Sequence, residues 1–178
     1  MRITGGVLAG RRVAVPAGEI RPAMDRMRES VFASLGDLSG FSFLDVFSGS
    51  GVIALEAASR GAAPVEAVEK DPVKRKTLLK NVSMSPVRIR CRFMAAELYV
   101  SRAKAPFDVI FCDPPFPYKF KWDLLKSITA SPLVHSGSRI LLHRPKEDEY
   151  TKIADLSLEL SKAFGRSLVD FFIFLEKK

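Results

Sequence analysis

Short apolar runs alternate with helical spacing along most of this chain. Ser42 to Phe47, Val65 to Val68, Phe107 to Cys112 and Arg139 to His143 are compact runs rich in β-branched and aromatic residues. Such runs suit strands buried on both faces. Val87 to Phe93 is a further strand, in which Arg88, Arg90 and Arg92 alternate with Ile89, Cys91 and Phe93. One charged face and one apolar face suit a half-exposed edge strand, where charge blocks edge-to-edge pairing, and equally a direct nucleic-acid contact. Helices are predicted over Gly51 to Arg60, Pro72 to Val82, a short segment ending near Arg102, and Trp122 to Thr129. Met24, Met27, Val31 and Leu35, widened by Phe32, place another helix before the first buried strand, with Gly36 as its stop. Residues 1–18 read as a small β element, with Arg2-Ile3-Thr4 and Arg12 to Val15 as strand-like runs, and Pro16 to Pro22 as a connector. Leu156 to Leu160 and Leu168 to Leu175 read as a closing antiparallel hairpin linked through Gly165. Repeated β-α-β units imply a mainly parallel sheet with helices on both faces.

A length of 178 residues suits one domain with a sizeable core. No apolar run approaches a membrane span, and Met1 to Gly6 lacks the apolar core of a signal peptide, so a cytoplasmic protein is expected. Cys91 and Cys112 fall within strands and are expected to be reduced and structural. His135 and His143 are too few and too isolated for a metal site. The net charge of +8 is unevenly spread. Residues 70–92 hold Lys70, Lys74, Arg75, Lys76, Lys80, Arg88, Arg90 and Arg92 against the single acid Asp71. Such a cluster suits a polyanion and equally an ordinary solvated face.

The chemistry concentrates at strand ends. Asp113-Pro114-Pro115-Phe116 follows the strand that ends at Cys112, where open α/β sheets bind ligands. Two prolines fix two φ angles and remove two donors, giving a stiff loop with a carboxylate, bare carbonyls and a ring. That set suits a planar group carrying an NH2. Asp45-Val46-Phe47-Ser48-Gly49-Ser50-Gly51 joins the first buried strand to the next helix. Its glycines let backbone approach a ligand at a helix N-terminus. Gly49 to Ala54 also fits the loose dinucleotide pattern G-x-G-x-x-A. An acid followed by Phe-x-Gly-x-Gly resembles motif I of S-adenosylmethionine-dependent methyltransferases instead. Glu69, at the end of the second buried strand, is placed to accept two ribose hydroxyls, a role that fits either cofactor. Asp71 and Pro72 read as N-cap and first helical residue.

Taken together, these residues resemble the bacterial RsmD-like methyltransferases. The resemblance begins with Arg2-Ile3-Thr4-Gly5-Gly6 and Gly10-Arg11-Arg12. It continues through Pro16, Arg21-Pro22 and Asp25-Arg26-Met27-Arg28-Glu29-Ser30-Val31-Phe32, then motif I, Glu69 and Asp113 to Phe116, to Phe164-Gly165 and Phe172. Two positions depart from the pattern: Ala23 stands where the family usually has Thr, and Met94 where many methyltransferases hold adenine with Asp or Asn.

The resemblance implies a Rossmann-like class I S-adenosylmethionine-dependent methyltransferase. Its expected architecture is a seven-stranded, mostly parallel sheet with a closing antiparallel hairpin. Residues 1–38 would form an RNA- and cofactor-covering extension, and 39–178 the methyltransferase domain. It implies methyl transfer to guanine N2 of 16S ribosomal RNA in the small ribosomal subunit, by a monomer without metal. Asp113, Pro114, Pro115 and Phe116 would be catalytic. The cofactor would lie against Arg21, Asp45, Phe47, Gly49, Ser50, Gly51, Glu69, Lys70, Met94 and Ala95. RNA would meet Arg11, Arg12, Arg26, Arg28, Tyr118 and Lys119. Because Asp-Pro-Pro-Phe serves exocyclic amines generally, adenine-N6 methylation of DNA or RNA stays open. So does an inactive RNA-binding assembly factor on the same scaffold, and an NAD-linked oxidoreductase would rest on Gly49 to Ala54 alone.

Overall fold

The computed structural model describes residues 1–16 and 24–175. Its strands are β1 (Phe43–Val46), β2 (Val65–Val68), β3 (Ile89–Arg92), β4 (Val109–Cys112), β5 (Arg139–Pro145), β6 (Leu156–Phe164) and β7 (Ser167–Phe174). Its helices are α1 (Met24–Leu35), α2 (Val52–Ser59), α3 (Pro72–Val82), α4 (Ala96–Ser101) and α5 (Lys121–Thr129). The strands form one sheet in the order β3-β2-β1-β4-β5-β7-β6. From β3 to β5 every pairing is parallel, and β7 joins β5 and β6 antiparallel. The expected class I architecture is therefore present, with β3 at one edge, which its alternating charge suits.

Two apolar clusters cover the two faces of the sheet. One gathers α1 and α2 with Phe43, Val65, Val109 and Leu141. The other gathers α4 and α5 with Leu44, Val68, Ile110 and Leu142. Successive residues of the central parallel strands thus feed opposite layers, and β1, β2 and β4 are mostly apolar for that reason, with Asp45 and Glu66 as the exceptions.

The amino-terminal element is smaller than two strands. Arg2 and Arg12 form a single antiparallel bridge, with a 3-10 turn at Gly6–Leu8 between them. The three consecutive residues Gly5, Gly6 and Val7 favour a turn over a ladder. This element packs directly on α2. A Cβ at Gly6, whose φ is +74°, would stand 1.9 Å from the Ser59 carbonyl oxygen, so only glycine permits the contact.

The packing explains an unusual helix. All eight residues of α2 are buried, Glu56 included. A helix without a polar face needs cover on every side. Here the sheet, α1 and the amino-terminal element supply it.

Candidate active site

β1 and β4 are neighbours in parallel register, Asp45 against Phe111 and Val46 against Cys112. The connection from β1 runs to β2 on one side, whereas that from β4 runs to β5 on the other. The two loops diverge here and leave a crevice at the carboxyl ends of the strands. Phe47 and Asp113 are the first residues beyond the pairing, and the Asp113 amide donates to the Val46 carbonyl at 3.2 Å.

The first loop is tightly constrained. Phe47, Gly49 and Gly51 have φ of +66°, +55° and +80°. A phenylalanine in the left-handed region is strained, and such strain gathers at ligand sites. Gly51 precedes the first turn of α2, and a Cβ there would meet Val82 Cγ1 at 3.1 Å. Glu69 ties the loop to β2: one carboxylate oxygen accepts from the Gly49 amide and the other from the Asp71 amide, each at 2.8 Å. Both oxygens keep a further lone pair for ligand hydroxyls. The Asp71 carboxylate accepts from the Val73 amide, so the predicted N-cap is formed.

Asp45 lies fully buried beneath the loop. Its Oδ2 accepts from the Ser48 hydroxyl at 2.5 Å and the Ala54 amide at 3.1 Å. Its Oδ1 has no hydrogen-bond partner among the described residues. Burial pushes its carboxyl up to about 7, against the lowering effect of the Ser48 and Ala54 bonds, and the charges of Asp113 and Glu69 add to the rise.

These groups line a cavity of about 460 Å³. Asp45, Phe47, Ser48, Gly49 and Ser50 form its floor, with Glu69, Lys70 and Asp71 from the β2 end and Asp113, Pro114 and Pro115 from the β4 end. Met1, Val15 and Pro16 contribute from the amino-terminal element. The volume suits a small-molecule ligand. An orphaned carboxylate oxygen and a second acid with spare lone pairs suit a ligand with a cationic group and adjacent hydroxyls. S-adenosylmethionine, with its ammonium, sulfonium and ribose, fits that donor set.

Asn81 was not among the expected site residues. It is buried, its Oδ1 accepts from the Ala14 amide at 3.0 Å, and its Nδ2 donates to the Ala14 and Ser50 carbonyls at 2.9 and 2.8 Å. One amide therefore joins the segment carrying Val15 and Pro16 to the glycine loop. A lone Asn inside a basic helix is the only trace of this in the sequence.

His143 was also missed. Its Nδ1 lies 2.7 Å from Asp113 Oδ1, and its ring is almost fully buried. Phe116 is half-buried, with its ring edge-on to His143 at 5.5 Å. The Pro115 carbonyl accepts from the Tyr118 amide at 2.8 Å, which leaves the Pro114 carbonyl as the acceptor nearest in sequence to Asp113. Tyr118 packs on Phe47 at 5.3 Å and donates its hydroxyl to Glu97 at 2.5 Å. Phe120 extends this aromatic row at 6.0 Å from Tyr118 and is 63% exposed, beside exposed Lys119.

Other expected positions fall differently. Arg21 lies outside the described residues. Met94 and Ala95 are not among the described residues lining the main cavity, and Met94 borders a separate hollow with Tyr99 and Phe107. Arg11, Arg12 and Arg26 are exposed. Arg28 corrects the expectation of an RNA contact. It is fully buried, bonded to Glu56, Asp25 and the Arg2 carbonyl, and is out of reach of a polyanion. The basic edge is also partly neutralised, since Arg90 and Arg92 pair with Glu66 at 3.4 and 3.0 Å; Arg75 lies over the Phe93 ring and keeps its charge.

Known proteins of the same build give this geometry a context. The ribosomal RNA small subunit methyltransferase D of Escherichia coli K12 is 35% identical over 119 residues, a match spanning 65% of this chain and 60% of that protein. The solved structure of Escherichia coli yhhF aligns with a TM-score of 0.91 at 28% identity, covering 99% of each chain. A Shewanella amazonensis tRNA1(Val) (adenine(37)-N6)-methyltransferase is 40% identical over 75 residues, 41% of this chain and 32% of that protein. The model of the family described as conserved hypothetical protein 95 matches residues 1–173, and the chain belongs to that RsmD-like family.

Proposed function

We propose that this protein transfers a methyl group from S-adenosylmethionine to the exocyclic N2 of a guanine in 16S ribosomal RNA. The observation that carries the reading is that Asp113 and Pro114 line the same cavity as Asp45 and Glu69, on a loop stiffened by two prolines. Asp45, Glu69 and the Phe47–Gly51 loop would hold the cofactor, which supplies an electrophilic methyl group. The resemblance to the Escherichia coli small-subunit enzyme supports ribosomal RNA as the substrate. A cytoplasmic location accompanies that substrate.

Guanine N2 is a weak nucleophile because its lone pair conjugates with the ring. Asp113 accepts one N2 proton and the Pro114 carbonyl the other, which favours a pyramidal nitrogen with its lone pair free. The carboxylate also stabilises positive charge developing on that nitrogen. Phe116 offers a face for the base. N2 lies inside a paired helix, so the nucleotide must be unpaired or flipped to reach the loop. Arg11, Arg12, Arg26 and Lys119 are exposed bases suited to phosphate contacts.

Adenine-N6 methylation is the second reading, favoured by the similarity to the Shewanella transfer-RNA enzyme. A labelled-methyl assay on small ribosomal subunits, naked ribosomal RNA, transfer RNA and duplex DNA separates the two. Label in N2-methylguanine of the small-subunit RNA is expected. Label only in N6-methyladenine overturns the guanine reading. Mass spectrometry of ribosomal RNA from a strain lacking the protein then identifies the missing modification.

A further inference from the structure

The parallel register of β4 and β5 carries a consequence beyond their pairing. Cys112 stands against Leu142, so the next residues, Asp113 and His143, meet at the same level on adjacent strands. His143 Nδ1 lies 2.7 Å from Asp113 Oδ1, while its Nε2 lies 2.9 Å from Ser167 Oγ. The Ser167 hydroxyl in turn reaches the Phe164 carbonyl at 3.0 Å. The ring is 3% exposed, and Phe116 closes over it edge-on.

Proton counting fixes what the imidazole presents to the carboxylate. The Ser167 hydroxyl has one hydrogen. If it donates to Phe164, Nε2–H donates to Ser167, and the short contact to a carboxylate oxygen still requires a proton at Nδ1. If it donates to Nε2, the neutral ring carries its one proton at Nδ1. For an ionised Asp113, both arrangements place an N–H at Nδ1 facing Oδ1. The carboxylate is thereby anchored by one oxygen. Its Oδ2 has no hydrogen-bond partner among the described residues and is the oxygen left for the substrate.

We propose that His143 is a positioning residue for methyl transfer. Anchored through Ser167, it fixes the Asp113 rotamer and aims Oδ2 at the amine to be methylated. The inference rests on the role given to Asp113 under the proposed function. A carboxylate held on one side is pre-aimed, and small misplacements of such groups have large effects on rate.

The test compares His143→Leu, His143→Asn, Ser167→Ala and Asp113→Ala in steady-state methylation of small ribosomal subunits. Calorimetry with S-adenosylmethionine on the same preparations verifies folding. His143→Leu is expected to lose about 100-fold in kcat, with the KM for S-adenosylmethionine unchanged. His143→Asn, which can place an amide N–H where Nδ1–H stood, is expected to recover most of that loss. Ser167→Ala, which removes only the anchor, is expected to fall between wild type and His143→Leu. Wild-type kcat in His143→Leu beside an inactive Asp113→Ala overturns the positioning role and leaves the Asp113 reading standing. An active Asp113→Ala overturns both. A His143→Asn variant as damaged as His143→Leu, with intact cofactor binding, also overturns the role, because it removes the dependence on the donated hydrogen bond.

Discussion

Arg28 Nε lies 3.1 Å from Glu56 Oε1, and both side chains are fully buried. The guanidinium also reaches the Arg2 carbonyl and Asp25, while Glu56 accepts from the Thr4 amide and hydroxyl and pairs with Arg60. One ionic cluster thus fastens α1, α2 and the amino-terminal element together. Removing one member leaves the other charges buried without compensation. Glu56→Gln or Arg28→Ala is expected to lower stability by about 3–5 kcal/mol, read as a shift in the urea unfolding midpoint. A change below about 1 kcal/mol would contradict this account of the cluster.

Asp113→Ala removes the carboxylate that the β4 end brings to the cavity and leaves Asp45 and Glu69 in place. Methyl transfer is expected to fall on the order of 100- to 1000-fold, with S-adenosylmethionine affinity within a few-fold of wild type. Activity and calorimetric titration on the same preparation check both halves.

Asp45 gives a pH signature. Its carboxyl rises from 3.8 in the unfolded chain to about 7 in the folded protein, chiefly through burial. The folded state therefore holds a proton that the unfolded chain releases first. The contribution of this group to stability falls as pH rises from 3.8 to about 7, and is constant above that window. Asp45→Asn removes this slope from urea unfolding measured across the window. The ionised form attracts a cationic ligand, so wild-type affinity for S-adenosylmethionine is expected to climb as pH approaches about 7 from below, and that of Asp45→Asn to stay flat.

Asn81 links Ala14 to Ser50 through three hydrogen bonds. Asn81→Ala leaves buried backbone groups unpaired and frees the segment bearing Val15 and Pro16. S-adenosylmethionine affinity is expected to weaken about tenfold, corresponding to one buried hydrogen-bonded group. Unchanged affinity would show that this segment does not shape the site.

Phe120 and Lys119 stand exposed beside the Asp113 loop. Phe120→Ala is expected to weaken RNA binding by about 1–3 kcal/mol through lost stacking. Lys119→Ala is expected to reduce the salt dependence of binding by about one phosphate contact. Filter binding over a salt series distinguishes the two effects.

The sheet was readable in the sequence because its central parallel strands are buried on both faces and so run mostly apolar, while the edge strand β3 shows alternating charge. That Asp45, Glu69 and Asp113 gather around one cavity was readable because each stands in or just after the carboxyl end of a parallel strand. His143 was hidden by register: it lies 30 residues from Asp113 and reads as an isolated histidine until β4 and β5 are aligned. Arg28, which the resemblance placed against RNA, is buried instead, and its neighbours Asp25 and Glu29 give no sign of that in the sequence. The clue lay elsewhere, in Glu56, the one acid in an otherwise apolar or small-residue helix. The amino-terminal strands shrank to one bridge because glycine-rich turns compete with a ladder.

The wrapping of α2 also bears on the order in which a growing chain can settle. Residues 1–16 are synthesised ahead of their partners: Thr4 waits for Glu56, 52 residues behind it, and Ala14 waits for Asn81, 67 behind. The opening segment therefore has little to fold against during early synthesis. Its docking must await α2 and α3, and a nascent chain stalled before α2 would leave residues 1–16 without these partners and open to any chaperone or protease nearby.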